Sequence, residues 1–146
     1  MQNANLLIVD DSKTQRMVYQ TMFGNHYQLR LAENGRQALQ FCHESQPDLI
    51  VMDIEMPEMD GLECCQQLRQ QGYSGPLVFV SAKTDLSQRL RAYDVGGNDF
   101  IAKPANENEL RCKIDILLRQ HDERQRLQSD GQMAFATAMT AMTTMS

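Results

Sequence analysis

Asp48-Leu49-Ile50-Val51-Met52-Asp53-Ile54-Glu55-Met56-Pro57-Glu58-Met59-Asp60-Gly61 is the stretch whose reading decides the fold. Leu49 to Met52 are four apolar residues in a row, without alternation and too few for a helix. They predict a strand covered on both faces, as in the middle of a parallel sheet. The run ends on a carboxylate, Asp53, and a loop carrying Pro57 and Gly61 takes over. In open parallel sheets, ligands sit just beyond the carboxyl ends of the strands, so Asp53 stands where chemistry is done.

Three further runs deliver polar groups in the same way. Leu6-Leu7-Ile8-Val9 ends in the acid pair Asp10-Asp11, Leu77-Val78-Phe79-Val80 ends on Ser81, and Asp99-Phe100-Ile101-Ala102 ends on Lys103, with Pro104 next. Any one of these is an ordinary solvated loop residue. Four in this order make a site.

Between the runs, helical patterns alternate with the strands. Ser12 is suited to cap a helix to about Phe23, with Met17, Val18 and Met22 on its inner face. Gln28 to Ala32 is a short, half-polar strand of the kind found at a sheet edge. Asn34-Gly35 opens a helix with Ala38, Leu39 and Cys42 on one side, and Pro47 precedes the organising strand. Leu62, Cys65 and Leu68 mark a third helix. Leu86, Leu90 and Tyr93 mark a fourth, starting near Asp85 and closed by Gly96-Gly97. A fifth helix starts near Asn106 or Glu107, with Leu110, Ile114 and Leu117 facing in. Five strand–helix alternations with short connections predict an α/β, doubly wound fold with a five-stranded parallel sheet and right-handed crossovers.

The 146 residues, 42% of them hydrophobic, suit one domain with a short appendage. A net charge of −5 argues against direct binding of nucleic acid or an anionic membrane surface. No apolar run approaches the roughly 18–20 residues of a membrane span, and the N-terminus lacks a secretory pattern, so the expected location is cytoplasmic. Cys42, Cys64, Cys65 and Cys112 have no metal spacing relative to His26, His43 or His121, and read as reduced packing residues.

The character changes near the end. Residues 1–122 read as the domain, and 123–146 as a helical or disordered tail that could lead to an output region. The fifth helix meets no Pro or Gly before Gly131, so it is expected to run to roughly Leu127. Beyond Gly131 the chain is mostly Ala, Met and Thr, with Met133, Ala136, Met139, Met142 and Met145 at every third position. The expectation is an adaptable apolar segment that pairs with a second copy, giving a homodimer through the C-terminal helix.

Asp10, Asp11 and Asp53 brought together would repel one another unless neutralised by a hard divalent cation. Mg²⁺ favours one or two carboxylates, waters and phosphate oxygens, and Mn²⁺ can replace it. Asp53 can then attack phosphorus and hold it as an acyl phosphate, with Lys103 and Ser81 serving the phosphoryl oxygens.

Over about residues 4–122 the sequence resembles the receiver domain of bacterial two-component response regulators. The matching pieces are Ile8 to Ser12, Asp48 to Gly61, Val80 to Lys83 and Asp99 to Pro104. The resemblance implies a flavodoxin-like strand order 2-1-3-4-5, with a C-terminal helical extension here. It implies that Asp53 accepts phosphate from a phosphohistidine on a sensor histidine kinase or phosphotransfer protein. Asp11 would be a direct metal ligand, Asp10 would act largely through water, and the Glu55 backbone carbonyl would complete the metal site. Ser81 and Phe100 would form the switch, Phe100 turning inward on phosphorylation, and the peptide before Pro104 would be cis. The Glu55 side chain departs from the small polar or neutral residue of many relatives, adding a fourth carboxylate at the mouth of the site. Two other functions fit the chemistry: an aspartyl-phosphate phosphatase, which would want Asp rather than Glu55 as its general acid, and a pseudo-receiver that only binds partners. The expectation is a signalling phosphoacceptor that catalyses its own phosphorylation and slow dephosphorylation and is no enzyme with a free substrate.

Overall fold

A computed structural model describes residues 3–145. Strands β1 (Asn5–Val9), β2 (Gln28–Ala32), β3 (Leu49–Asp53), β4 (Leu77–Ser81) and β5 (Asp99–Ala102) alternate with helices α1 (Lys13–Phe23), α2 (Gly35–Glu44), α3 (Gly61–Gln70), α4 (Leu86–Asp94) and α5 (Glu107–Met145). The strands form one parallel sheet in the order β2-β1-β3-β4-β5, the flavodoxin-like order expected from the sequence.

Every residue of β3 and β4 is buried, which accounts for their unbroken apolar runs. Successive side chains alternate between faces. Leu7, Val9, Ile50, Met52, Leu77 and Phe79 join one core layer with Ala38 and Cys42 of α2, Leu62, Cys65 and Leu68 of α3, and Ala92 of α4. Leu6, Ile8, Leu49, Val51, Val78 and Val80 join the other, with Tyr19 and Phe23 of α1 and Leu110, Ile114 and Leu118 of α5. Register then fixes the site: Val9 lies beside Met52, Asp53 beside Val80, and Ser81 beside Ala102. The residues that leave these strands therefore emerge along one edge of the sheet.

The helix starts follow their caps. Ser12, Asn34, Asp60 and Asp85 each accept the backbone N–H three residues on. Gly61, directly after the Asp60 cap, is needed for a second reason: a Cβ there would collide with the Asp53 carbonyl. The third helix thus starts against the backbone of the candidate nucleophile.

Three expectations are corrected. In α1, Met17 and Val18 face solvent (61% and 38% exposed), and the packed residues are Tyr19 and Phe23, with Met22 partly buried. The larger aromatic surfaces win the sheet-facing side. In α4, Leu86, Leu90 and Tyr93 do form a stripe at helical spacing, but it faces outward, at 62%, 58% and 47% exposed. Ala92, roughly a third of a turn away, is the buried α4 residue. In α5, helix continues past Leu127 and through Gly131 to Met145. An isolated Gly lowers helix stability by about 1 kcal/mol, which does not suffice to break a helix of good formers.

In the tail, Leu127, Met133 and Met139 are 65%, 67% and 49% exposed. Positions spaced by three fall short of a full turn by about 60° each, so Met133, Ala136 and Met139 wind around the helix instead of sharing one face. The side chains of Met142 and Met145 lie outside the described residues. Cys42, Cys64 and Cys65 are buried free thiols, and Cys112 is an exposed one. No described helix is long and apolar enough to cross a membrane.

The two glycines give opposite expectations. Nothing lies within 4 Å of a Cβ built on Gly131, so Gly131→Ala should raise far-UV helix signal and stabilise the tail by about 0.5–1 kcal/mol. Gly61→Ala should lower the urea unfolding free energy by about 1–3 kcal/mol, as overpacking against a fixed backbone does.

Candidate functional site

Four strand ends and their following loops build the site. Asp10 and Asp53 are almost wholly buried, at 1% and 3% exposed, whereas Asp11 is exposed. One carboxylate oxygen from each of Asp10, Asp11 and Asp53 lies within 4.8 Å of the others. Lys103, arriving from β5, places Nζ 2.9 Å from Asp53 Oδ1 and 3.6 Å from Asp10 Oδ2. The Lys103–Pro104 peptide is cis, as expected.

The electrostatics are one-sided. Burial pushes the Asp53 carboxyl up to about 6, with Asp10 and Glu55 adding repulsion and Lys103 opposing. Burial also raises Asp10, against the Ser12 amide and Lys103. Lys103 is itself raised: burial works against its charge, but Asp53, Asp10 and Glu55 outweigh it. Asp10 Oδ2 and Asp53 Oδ1 are buried oxygens that accept no well-directed hydrogen bond. One ammonium facing three carboxylates leaves negative charge and free lone pairs, and a hard divalent cation suits both.

Ser81 is fully buried, and Phe100 is covered at 8% exposed within the core layer of α2, α3 and α4. Glu55 supplies more than a backbone carbonyl. Its Oε1 accepts from Ser81 Oγ at 2.6 Å and from the amides of Ala82 and Lys83, both at 3.1 Å. Burial works against its charge, but these hydrogen bonds and Lys103 hold the carboxyl below its ordinary value.

Sequence reasoning missed Arg16. Its Nη1 donates to the Asp10 carbonyl at 2.7 Å while Nη2 lies 3.7 Å from Glu33 Oε2, bracing the acid loop from α1. No motif marks it; its value comes from the turn of α1 that points it back at β1. Lys83 was also missed as a donor, since its contribution is a backbone N–H that any residue carries.

Residues 6–115 match the response regulator receiver domain family. The chain belongs to that family. It is 36% identical over 115 residues to Response regulator MprA of Mycolicibacterium vanbaalenii, covering 78% of this chain and 50% of that protein. The corresponding figures for Response regulator MprA of Mycobacterium ulcerans are 34% over 139 residues, 94% and 58%. The chain thus spans about half the length of the curated relatives it matches. Among solved structures, a putative response regulator from Chloroflexus aurantiacus superimposes with a TM-score of 0.74 at 32% identity, covering 80% of this chain and 98% of that one. The Francisella response regulator 1452 receiver domain gives 0.77 at 28%, covering 82% and 99%. This receiver is similar to these proteins in fold and in family.

The raised Asp53 carboxyl has a consequence for stability. A group whose folded pKa lies above its unfolded value of 3.8 contributes stability below pH 3.8, and loses it as pH rises through about 6. In chelator, Asp53→Asn should therefore unfold at a higher urea concentration than the parent chain at pH 7.5, and at nearly the same concentration at pH 4. Adding Mg²⁺ at pH 7.5 should stabilise the parent and leave Asp53→Asn much less affected.

Proposed function

We propose that this receiver accepts a phosphoryl group on Asp53 from a phosphohistidine of a sensor histidine kinase or phosphotransfer protein. The observation that carries the reading is the buried Asp53 carboxylate, ion-paired to Lys103 at 2.9 Å beside Asp10 and Asp11. Asp10, Asp11, Asp53 and the Glu55 backbone carbonyl would hold Mg²⁺ or Mn²⁺. When bound, the ion neutralises the carboxylates and the incoming phosphoryl oxygens.

An Asp53 carboxylate oxygen forms a bond to phosphorus as the phosphorus–nitrogen bond of the donor breaks. The imidazole leaves with the electron pair and takes a proton. Lys103 pairs with one phosphoryl oxygen and Ser81 donates to another, which is the positioning and charge stabilisation that phosphoryl transfer requires. Burial of Asp53 keeps bulk water from competing with the donor. The readout surface is α4, β5 and α5, where Leu86, Leu90 and Tyr93 already stand exposed. Phosphorylation would shift a population between two arrangements of that surface.

Incubation with acetyl phosphate or phosphoramidate and Mg²⁺ should add one phosphoryl mass to the intact chain. Asp53→Asn and chelation should each abolish it, and a generic phosphate ester should show no turnover. Equal labelling of Asp53→Asn and the parent would overturn the assignment.

A further inference from the structure

Glu55 faces two ways. On one side its Oε1 is gripped by three donors at the end of β4 and on the turn after it: the Ser81 hydroxyl and the amides of Ala82 and Lys83. Successive amides and a hydroxyl converging on one oxygen make an anion cradle, and a carboxylate fills it. Its other oxygen, Oε2, is buried and accepts no hydrogen bond from a described residue. On the other side, Glu55 lines an open cavity of about 480 Å³ that also reaches Asp60, Lys83, Gln88 and Arg91. Ser81 has a single proton to give. Of the two acceptors within its reach, the Glu55 carboxylate at 2.6 Å is nearer and stronger than the Lys83 carbonyl at 3.0 Å, and this is the proton a phosphoryl oxygen on Asp53 would need.

We propose that the Glu55 carboxylate is an internal stand-in for a phosphoryl oxygen, occupying the Ser81 hydroxyl and the Ala82 and Lys83 amides until phosphorylation of Asp53 displaces it into the cavity toward Lys83 and Arg91. This rests on Asp53 being the phosphoacceptor. Two forces drive the exchange. The phosphoryl group presents more charge to the same donors, and it repels a carboxylate already beside Asp53. The vacated side chain enters a cavity lined by two cationic residues, Lys83 and Arg91 of α4, against one other acid, Asp60. The exchange therefore couples the phosphorylation site to the turn between β4 and α4. It also sets a threshold, because a phosphoryl group must outcompete an occupant that is already bound.

The test uses the full chain with Glu55→Ala and Glu55→Asp, since Asp keeps the charge but is one methylene too short to fill the cradle. Backbone ¹H–¹⁵N spectra are recorded without a phosphoryl mimic, and then during titration with beryllofluoride and Mg²⁺. Without the mimic, the Ala82 amide should move upfield in both variants relative to the parent as its hydrogen bond is lost, whereas the Lys83 amide keeps its 3.0 Å bond to Ser81 Oγ. Both variants should then bind beryllofluoride more tightly, by about tenfold, the worth of one competing hydrogen bond to a charged group. If the Ala82 amide does not move, or if Glu55→Asp binds like the parent while Glu55→Ala tightens, charge repulsion alone explains Glu55 and the proposal falls. If neither the parent nor any variant binds beryllofluoride, the phosphoacceptor reading falls and the displacement falls with it.

Discussion

The constraint on which this structure depends is the convergence of Asp10, Asp11 and Asp53 within 4.8 Å of one another at the end of a sheet. Like charges at that separation, two of them buried, are unfavourable in any protein interior. The fold tolerates them because the backbone around them is over-determined. β1 and β3 are adjacent and in register, Arg16 holds the Asp10 carbonyl, and Gly61 lets α3 begin against the Asp53 carbonyl. Lys103 compensates in part. What is left over is negative charge that a cation would neutralise.

Around that centre the donors are arranged with little redundancy. Lys103 is shared between Asp10 and Asp53, and the Ser81 hydroxyl is held by Glu55. A site whose cation and donor are both engaged inside the protein cannot gain a new anion without an exchange of partners. The turn after Ser81 leads to α4, in which Ala92 is the one buried residue. An element held by few contacts responds to small changes at its start.

Where the pattern misled, the cause was the difference between periodicity and direction. Leu86, Leu90 and Tyr93 recur as a helical face should, and they do lie on one face, yet it is the solvent face. Met17 and Val18 yielded the inner side of α1 to Tyr19 and Phe23 in the same way. A sequence shows that residues share a stripe; it does not show which neighbour the stripe meets. The reach of α5 was underestimated because Gly131 carries a propensity cost that a long helix absorbs.

The sequence by itself determined the strands, the strand order through its family motifs, and the carboxylates, hydroxyl and amine of the candidate site. These are written in local runs: buried strands must be unbroken and apolar, and each run stops at the polar group it presents. Only the tertiary structure decided how those groups are engaged. That Arg16 braces Asp10, that Phe100 is already packed, and that the Glu55 side chain sits in the Ser81–Lys83 cradle all depend on distances between residues far apart in the chain. Backbone amides such as those of Ala82 and Lys83 leave no mark on composition, because every residue but proline carries one.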